Sequence, residues 1–373
     1  MISQLWMLIF VKCEKLLLFV CCQIILFNIF AKTLNKITNK LSKQNSMKKL
    51  FRNVAIVALS IVAISCSKDE NQPAQQTITE IAVATPDFST LVTALTRTNL
   101  AGILDEPGTY TVFAPTNAAF NTFFASLGAN VTVDNVDVNV LKSILLNHVI
   151  GSEIKSAAIP ASVYVSTLSP INATTNAPTI SMFVQKSGMN VFINGGTATT
   201  GVRVTTADVD ASNGVIHIVN AVIPIPTVVD HVVANPEFET LQTVVTGSAQ
   251  SGVLSALSGL TAAAPATLFA PNNAAFATAL GAGGFANGAS DAAVSVVLQY
   301  HVTTAGNVRS SQLTNNQSVP MFTNPVQNTT VIIGGGNVDI RDTANNLSRV
   351  FQADIQCSNG VIHGVTKVLQ PLL

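Results

Sequence analysis

Four histidines stand in two matched pairs, His148 with His301 after apolar helix-like runs and His217 with His363 inside apolar strand-like runs. Imidazole is the side chain best suited to metal binding and to proton transfer near neutral pH, so these positions are where chemistry would first be sought. Each half of the chain supplies only two of them, with no CxxC, HExxH or acidic-histidine cluster beside either pair. A buried, hydrogen-bonded imidazole fits that context better than a metal ligand. Asp208 and Asp354 also recur, but Asp210 is answered by Gln356, so a paired-carboxylate hydrolase lacks its second group. Their expected work is to accept hydrogen bonds in a turn. No GxSxG elbow accompanies a recurrent base. The runs Gly195-Gly196 and Gly334-Gly335-Gly336 lack a following Lys-Ser or Lys-Thr, and they read as hairpin turns rather than phosphate cradles. The expectation is therefore no enzyme, no metal, no cofactor and no small-molecule substrate.

The elements that hold these residues are written twice. TVFAPTNAAF, Thr111 to Phe120, returns about 150 residues later as TLFAPNNAAF, Thr267 to Phe276. In each copy a short strand packs Phe113 or Phe269 into the core and stops at Pro115 or Pro271. Thr116 or Asn117, and Asn272 or Asn273, can then cap a helix. ATPDFSTLVTAL answers to ANPEFETLQTVV, LLNHVI to LQYHVT, and DVDASNGVIHIVNAVIPIP to DIQCSNGVIHGVTKVLQP. Phe88, Leu91 and Leu95 repeat at helical spacing, as do Phe238 and Leu241, and Val140 to Leu146 and Ala293 to Leu298 read as further helices. Strands are expected over Ser181 to Ile193, Thr200 to Thr206 and Gly214 to Val222, and over Thr329 to Ile333, Val338 to Arg341 and Gly360 to Leu369. Asn213-Gly214 and Asn359-Gly360 read as tight turns, since both residue types tolerate positive φ. Helices first and strands later predict an α+β domain. Four blocks in one order define two such domains, residues 79–226 and 227–373, in close tandem. The segments Ala157 to Asn190 and Thr304 to Asn328 differ most between the copies, so partners that distinguish the domains are expected there.

The pairs TVFAPTNAAF with SNGVIHIVNAVI, and TLFAPNNAAF with SNGVIHGVTKVL, resemble the two signature segments of the fasciclin domain. Tyr300-His301 is similar to that family's tyrosine-histidine segment, whereas the first copy has Asn147-His148. The resemblance covers nearly all of Thr79 to Leu373. It implies a β-wedge or sandwich with flanking helices, on secreted or surface-anchored proteins associated with cell adhesion and matrix, and it brings no catalytic residues.

The N-terminal part carries a different message. MKKLFRNVAIVALSIVAISCSKDE, from Met47, has a basic start, an apolar run from Val54 to Ile64, and a cysteine. Residues 47–65 read as a secretory signal whose end resembles a bacterial lipobox, making Cys66 the lipidated first residue of the mature protein. Residues 66–78 then form a polar tether. Residues 1–46 read as an overextended gene start, because a complete signal would be pointless behind the apolar block at Leu16 to Phe30. Of 19 basic residues nine precede Cys66, against one acidic residue, leaving 10 basic and 18 acidic side chains and a formal charge of about −8. Nucleic acid and anionic membrane surfaces are thereby disfavoured as partners. Past Cys66 Cys357 is the sole cysteine, so stability must come from apolar cores, and Cys357 is expected to be a buried thiol. A tandem pair behind a lipid anchor is similar to outer-membrane surface lipoproteins of the Bacteroidetes type. These readings predict a non-enzymatic adhesion or matrix-binding protein that contacts surface protein or polysaccharide. The alternative is a structural envelope protein facing the periplasm.

Overall fold

A computed structural model describes residues 75–373 apart from 173, 175, 198–200 and 285. The signal, Cys66 and most of the tether lie outside the described residues. Gln75–Leu373 forms a compact unit of its own, with its hydrophobic clusters drawn from within that span. Each copy carries two buried apolar clusters, the ground on which residues 75–373 are treated as a folding unit.

The first copy opens with α1 (Ile78–Ala84), where Thr77 and Glu80 form a reciprocal capping box. A single turn at Pro86–Phe88 leads into α2 (Ser89–Arg97), which buries Leu91, Ala94 and Leu95 on one face. Then come β1 (Tyr110–Pro115), α3 (Asn117–Leu127), α4 (Val138–Asn147) and β2 (Val149–Ile150). The rest is strand: β3 (Ser162–Pro170), β4 (Thr179–Ser187), β5 (Asn190–Ile193), β6 (Val202–Ala211) and β7 (Gly214–Val219). These seven strands close into a barrel in chain order, β1 pairing with β7 in parallel and every other pair antiparallel. β1 is apolar almost without alternation because both of its faces are covered. Val112 and Ala114 meet the helices, while Phe113 enters the barrel interior with Met182, Ile193 and Val219.

The second copy repeats the plan with α5 (Val228–Ala234), α6 (Glu239–Thr246), an additional α7 (Ser251–Ser258), β8 (Ala266–Pro271), α8 (Asn273–Leu280) and α9 (Asp291–Gln299). Its strands continue as β9 (Val302–Thr303), β10 (Ser318–Pro320), β11 (Asn328–Gly334), β12 (Asn337–Arg341), β13 (Leu347–Cys357) and β14 (Gly360–Val365). Here β9 and β10 form the two ends of a seven-stranded sheet. The hydrogen bond from Phe322 N to Val302 O, 2.7 Å, brings those ends together without a ladder.

The α+β fold is as the sequence predicts, with differences that have physical causes. β3 lies where no strand is expected, because its alternating Ser and Thr and its terminal proline imitate a loop. Asp208 and Asp354 sit not in turns but inside β6 and β13, at bulges with φ of 61° and 59°. Thr116 and Asn272 are the helix caps. Asn117 and Asn273 instead reach sideways, each accepting from the backbone of α2 or α6 (Thr90 N or Thr240 N) and donating to Pro86 O or Pro236 O. They tie one helix start to the next. Asn213 and Asn359 are absent from the positive-φ residues, so neither is the left-handed residue of its turn, and their side chains reach to distant backbone instead.

Candidate functional site

The paired histidines are placed deep in each domain and their ring nitrogens are occupied. His148 donates from Nδ1 to Ile144 O at 2.8 Å and accepts at Nε2 from Ile223 N at 2.8 Å. His301 does the same with Val297 O and Leu369 N. His217 accepts at Nδ1 from Asp208 N and donates from Nε2 to Ile154 O, and His363 repeats this with Asp354 N and Val308 O. All four rings are thus neutral tautomers fixed by backbone partners. Burial pulls His148 and His301 down to about 4 and lowers His217 and His363 as well. Phe113 and Phe269 lie against the latter two, with ring centroids 5.4 and 5.7 Å apart. Among the described residues no group of three His, Cys, Asp or Glu is arranged to hold a metal.

The other repeated residues also act on the chain itself. Asn213 Oδ1 accepts from Ile78 N at the start of α1, while its Nδ2 donates to Leu104 O and Glu106 O. Asn359 accepts likewise from Val228 N and donates to Leu260 O. A Cβ on Gly214 would stand 2.0 Å from Tyr110 O, and one on Gly360 2.2 Å from Ala266 O. Close approach of the parallel neighbour strand, at β1 or β8, is what excludes a side chain there. Pro115 and Pro271 are the final residues of their strands. Asp208 accepts from both the N and Oγ of Ser156, and burial of its carboxyl is outweighed by those bonds, so its pKa is lowered. Tyr300 is fully buried and donates to Asn328 O at 2.9 Å, whereas Asn147 in the first copy turns to Ile223 O and Pro224 O. Cys357 is a buried free thiol whose pKa burial pushes up. Asn213, Asn359, Asp208 and Tyr300 thus hold neighbouring elements together, while Asn147 Oδ1 is buried without a hydrogen-bond partner.

What sequence reasoning missed is the junction of the two copies. Tyr164 on β3 packs on Phe183 of β4 (4.8 Å) and edge-on against His231 of α5 (5.4 Å). Its hydroxyl accepts from Asn235 Nδ2 at 3.3 Å. Ser181 Oγ accepts from Gln356 N at 2.9 Å, joining β4 to β13. Gly195, with φ of 78°, lets the chain pass Ala234, whose Cα would lie 2.7 Å from an added Cβ. His231 itself is fully buried beside the backbone of Ser181, and burial lowers its pKa to about 4. The signal for it was available, since its counterpart in the first copy is Ile81 and an imidazole had replaced a core aliphatic. The residues Tyr164, Ser181 and Phe183 all belong to the segment 157–190 that differs most between the copies.

Beside this junction a polar cleft of about 510 Å³ opens between the two domains. Ser162 and Gln185 come from the first copy, and Asn235, Glu237, Asn272 and Asn273 from the second. Asn235 and Asn273 are committed to Tyr164, Glu237 N, Thr240 N and Pro236 O, which sets the cleft wall rigidly. Asn272 Oδ1 caps α8, accepting from Ala275 N at 2.9 Å. The lining holds one carboxylate and no cation. Such a surface can hydrogen-bond hydroxyl and amide groups but has no positioned acid–base pair.

A family model described as the fasciclin domain matches residues 86–226 and again 236–371. A protein of Synechocystis sp. described as "Uncharacterized protein sll1735" is 33% identical over 147 residues, covering 39% of this chain and 96% of its own. A second from that organism, "Protein sll1483", is 35% identical over 147 residues, covering 39% and 72%. Among solved structures, a FAS1 domain pair from the insect cell adhesion molecule Fasciclin I matches 79% of this chain and 95% of its own, at 17% identity and a TM-score of 0.43. With both copies matched over most of their length and both folded as sheet with flanking helices, the chain belongs to the fasciclin domain family.

Proposed function

We propose that the protein is a non-enzymatic adhesion or matrix-binding protein, displayed by a lipid on Cys66, and that it meets its ligand at the cleft between its two domains. The observation that carries this reading is the cleft, polar and built from both copies, so that a single domain would not contain it. Its amides and hydroxyls, with no cation to attract phosphate or sulfate, suit a hydroxyl-rich neutral polymer such as a surface polysaccharide. The repeated histidines and aspartates are consumed by backbone hydrogen bonds, which supports binding rather than catalysis. Adhesion is also the role printed for the insect neighbour. The Met47–Cys66 segment supports an outer-membrane lipoprotein of the Bacteroidetes type, and no helix among the described residues is long and apolar enough to cross a membrane.

A glycan and matrix-protein array probed with residues 75–373 tests the reading. Saturable binding to a polysaccharide class is expected, and binding confined to matrix proteins would replace the glycan by a protein partner. Absence of binding to either favours the second reading, a structural protein facing the periplasm. In that case protease added to intact cells leaves the domains uncut until the outer membrane is opened.

A further inference from the structure

The two copies are the same fold with differently filled helical layers, and the difference leaves a cavity in one of them. In the first copy the space between α2, α3 and α4 is closed by Phe123 and Phe124, whose rings lie 5.5 Å apart, with Phe120 stacked on Phe124 at 5.8 Å. Leu141 and Ile144 fill the facing side of α4. Arg97, at the end of α2, spans the edge and donates to Val133 O at 2.7 Å. Counting along the aligned motifs, the second copy has Ala279 for Phe123, Leu280 for Phe124, Val294 for Leu141, Val297 for Ile144 and Gly247 for Arg97. At each position the side chain is smaller. The turn at Ser248–Gln250 and Ala286 occupy part of this layer, and a cavity of about 370 Å³, open to solvent on one side, remains between α6, α8 and α9.

We propose that this cavity of the second domain is a binding site for an uncharged, apolar small molecule, a single hydrocarbon chain or a pair of fused rings. An apolar wall left open to solvent keeps hydrocarbon surface in water, and covering it with an apolar ligand is favourable. The volume is more than twice the ~150 Å³ of an engineered apolar cavity that stays dry and takes up benzene. It also falls within the range of small-molecule sites, roughly 300 to 1,000 Å³. Its walls are Phe276, Ala279, Leu280, Val294 and Val297. The buried amide of Gln250 is already satisfied, donating to Asp291 O at 3.0 Å and accepting from Ser295 Oγ. It asks nothing of a ligand. The exposed Asp291 carboxylate stands at the wall with no cation beside it in the lining, so an anionic head group is disfavoured.

The test uses N-phenyl-1-naphthylamine, a neutral fluorophore that brightens in apolar surroundings, titrated into residues 75–373. Expected is saturable binding of one molecule per chain, weakened at least tenfold by Ala279→Phe, which restores the first copy's residue. The doubly substituted Val294→Leu, Val297→Ile protein fills less space and should weaken binding by a smaller factor. Thermal unfolding accompanies each variant, with midpoints expected at or above that of the parent protein because the cavity is being filled. Were Ala279→Phe to misfold, the milder double variant decides. Non-saturable binding of the fluorophore, or equal affinity in the parent and a folded filled variant, overturns the proposal.

Discussion

Asn213 and Asn359 do by side chain what a backbone turn cannot, holding the start of each domain's first helix to the turn before its last strand. Asn213→Ala would leave Ile78 N and the carbonyls of Leu104 and Glu106 without this partner. A loss of about 2 to 4 kcal/mol is expected in urea unfolding, and a loss below about 0.5 kcal/mol contradicts the role. The histidines set a second expectation. His148, His231 and His301 have folded pKa values of about 4, below the unfolded value of 6.5, so the unfolded chain binds more protons as pH falls. Their contribution is intact above about pH 6.5 and is lost progressively towards pH 4, on the order of 3 kcal/mol for each. Urea midpoints measured from pH 7.5 to 4 should fall, and a flat profile contradicts the neutral, buried rings. The kinds and spacing of the repeated residues are legible in the sequence as core-forming. Which backbone atom each one meets is not, because Ile154 and Ile223 lie 63 and 75 residues from their histidines. Nor does the sequence distinguish Asn213 as a side-chain clamp from Asn213 as a turn former, since both explain an Asn-Gly pair.

At the scale of elements, the β1–β7 and β8–β14 parallel pairs are what bring the two signature segments of each copy together, Phe113 opposite His217 and Phe269 opposite His363. That pairing requires glycine where the strands first meet. Gly214→Ala places a methyl 2.0 Å from Tyr110 O at a φ of 149° and should cost more than about 3 kcal/mol, read as a lowered urea midpoint. A near-neutral result means the strands are not so close. The helices and most strands follow from apolar spacing, capping residues and glycine–asparagine punctuation. β3 does not, because within Ser162–Pro170 Tyr164 packs against the second domain while Val163, Val165 and Leu168 pack within the first, and the partner of Tyr164 is invisible to local pattern. The bulged aspartates escape for a related reason. Positive φ at Asp208 and Asp354 is stabilised by Ser156 and Ser310, which are distant in sequence.

For the whole molecule, duplication yields more than two similar domains, since the divergent segment of the first copy is the surface that seats the second. Tyr164→Ala removes the ring between Phe183 and His231 and the acceptor of Asn235. Calorimetry should then show a loss of about 2 to 4 kcal/mol and less concerted unfolding of the two domains, while an unchanged trace contradicts a coupled junction. The cleft is the consequence of that coupling, and it lies at the centre of the functional account. Ser162→Trp puts a large ring into the cleft from an exposed position on β3 without touching either core. The decisive measurement is calorimetric titration of the array-identified polysaccharide into residues 75–373 with and without this substitution. Affinity is expected to weaken at least tenfold with an unchanged melting temperature, and equal affinity in the two proteins would contradict a ligand seat in the cleft.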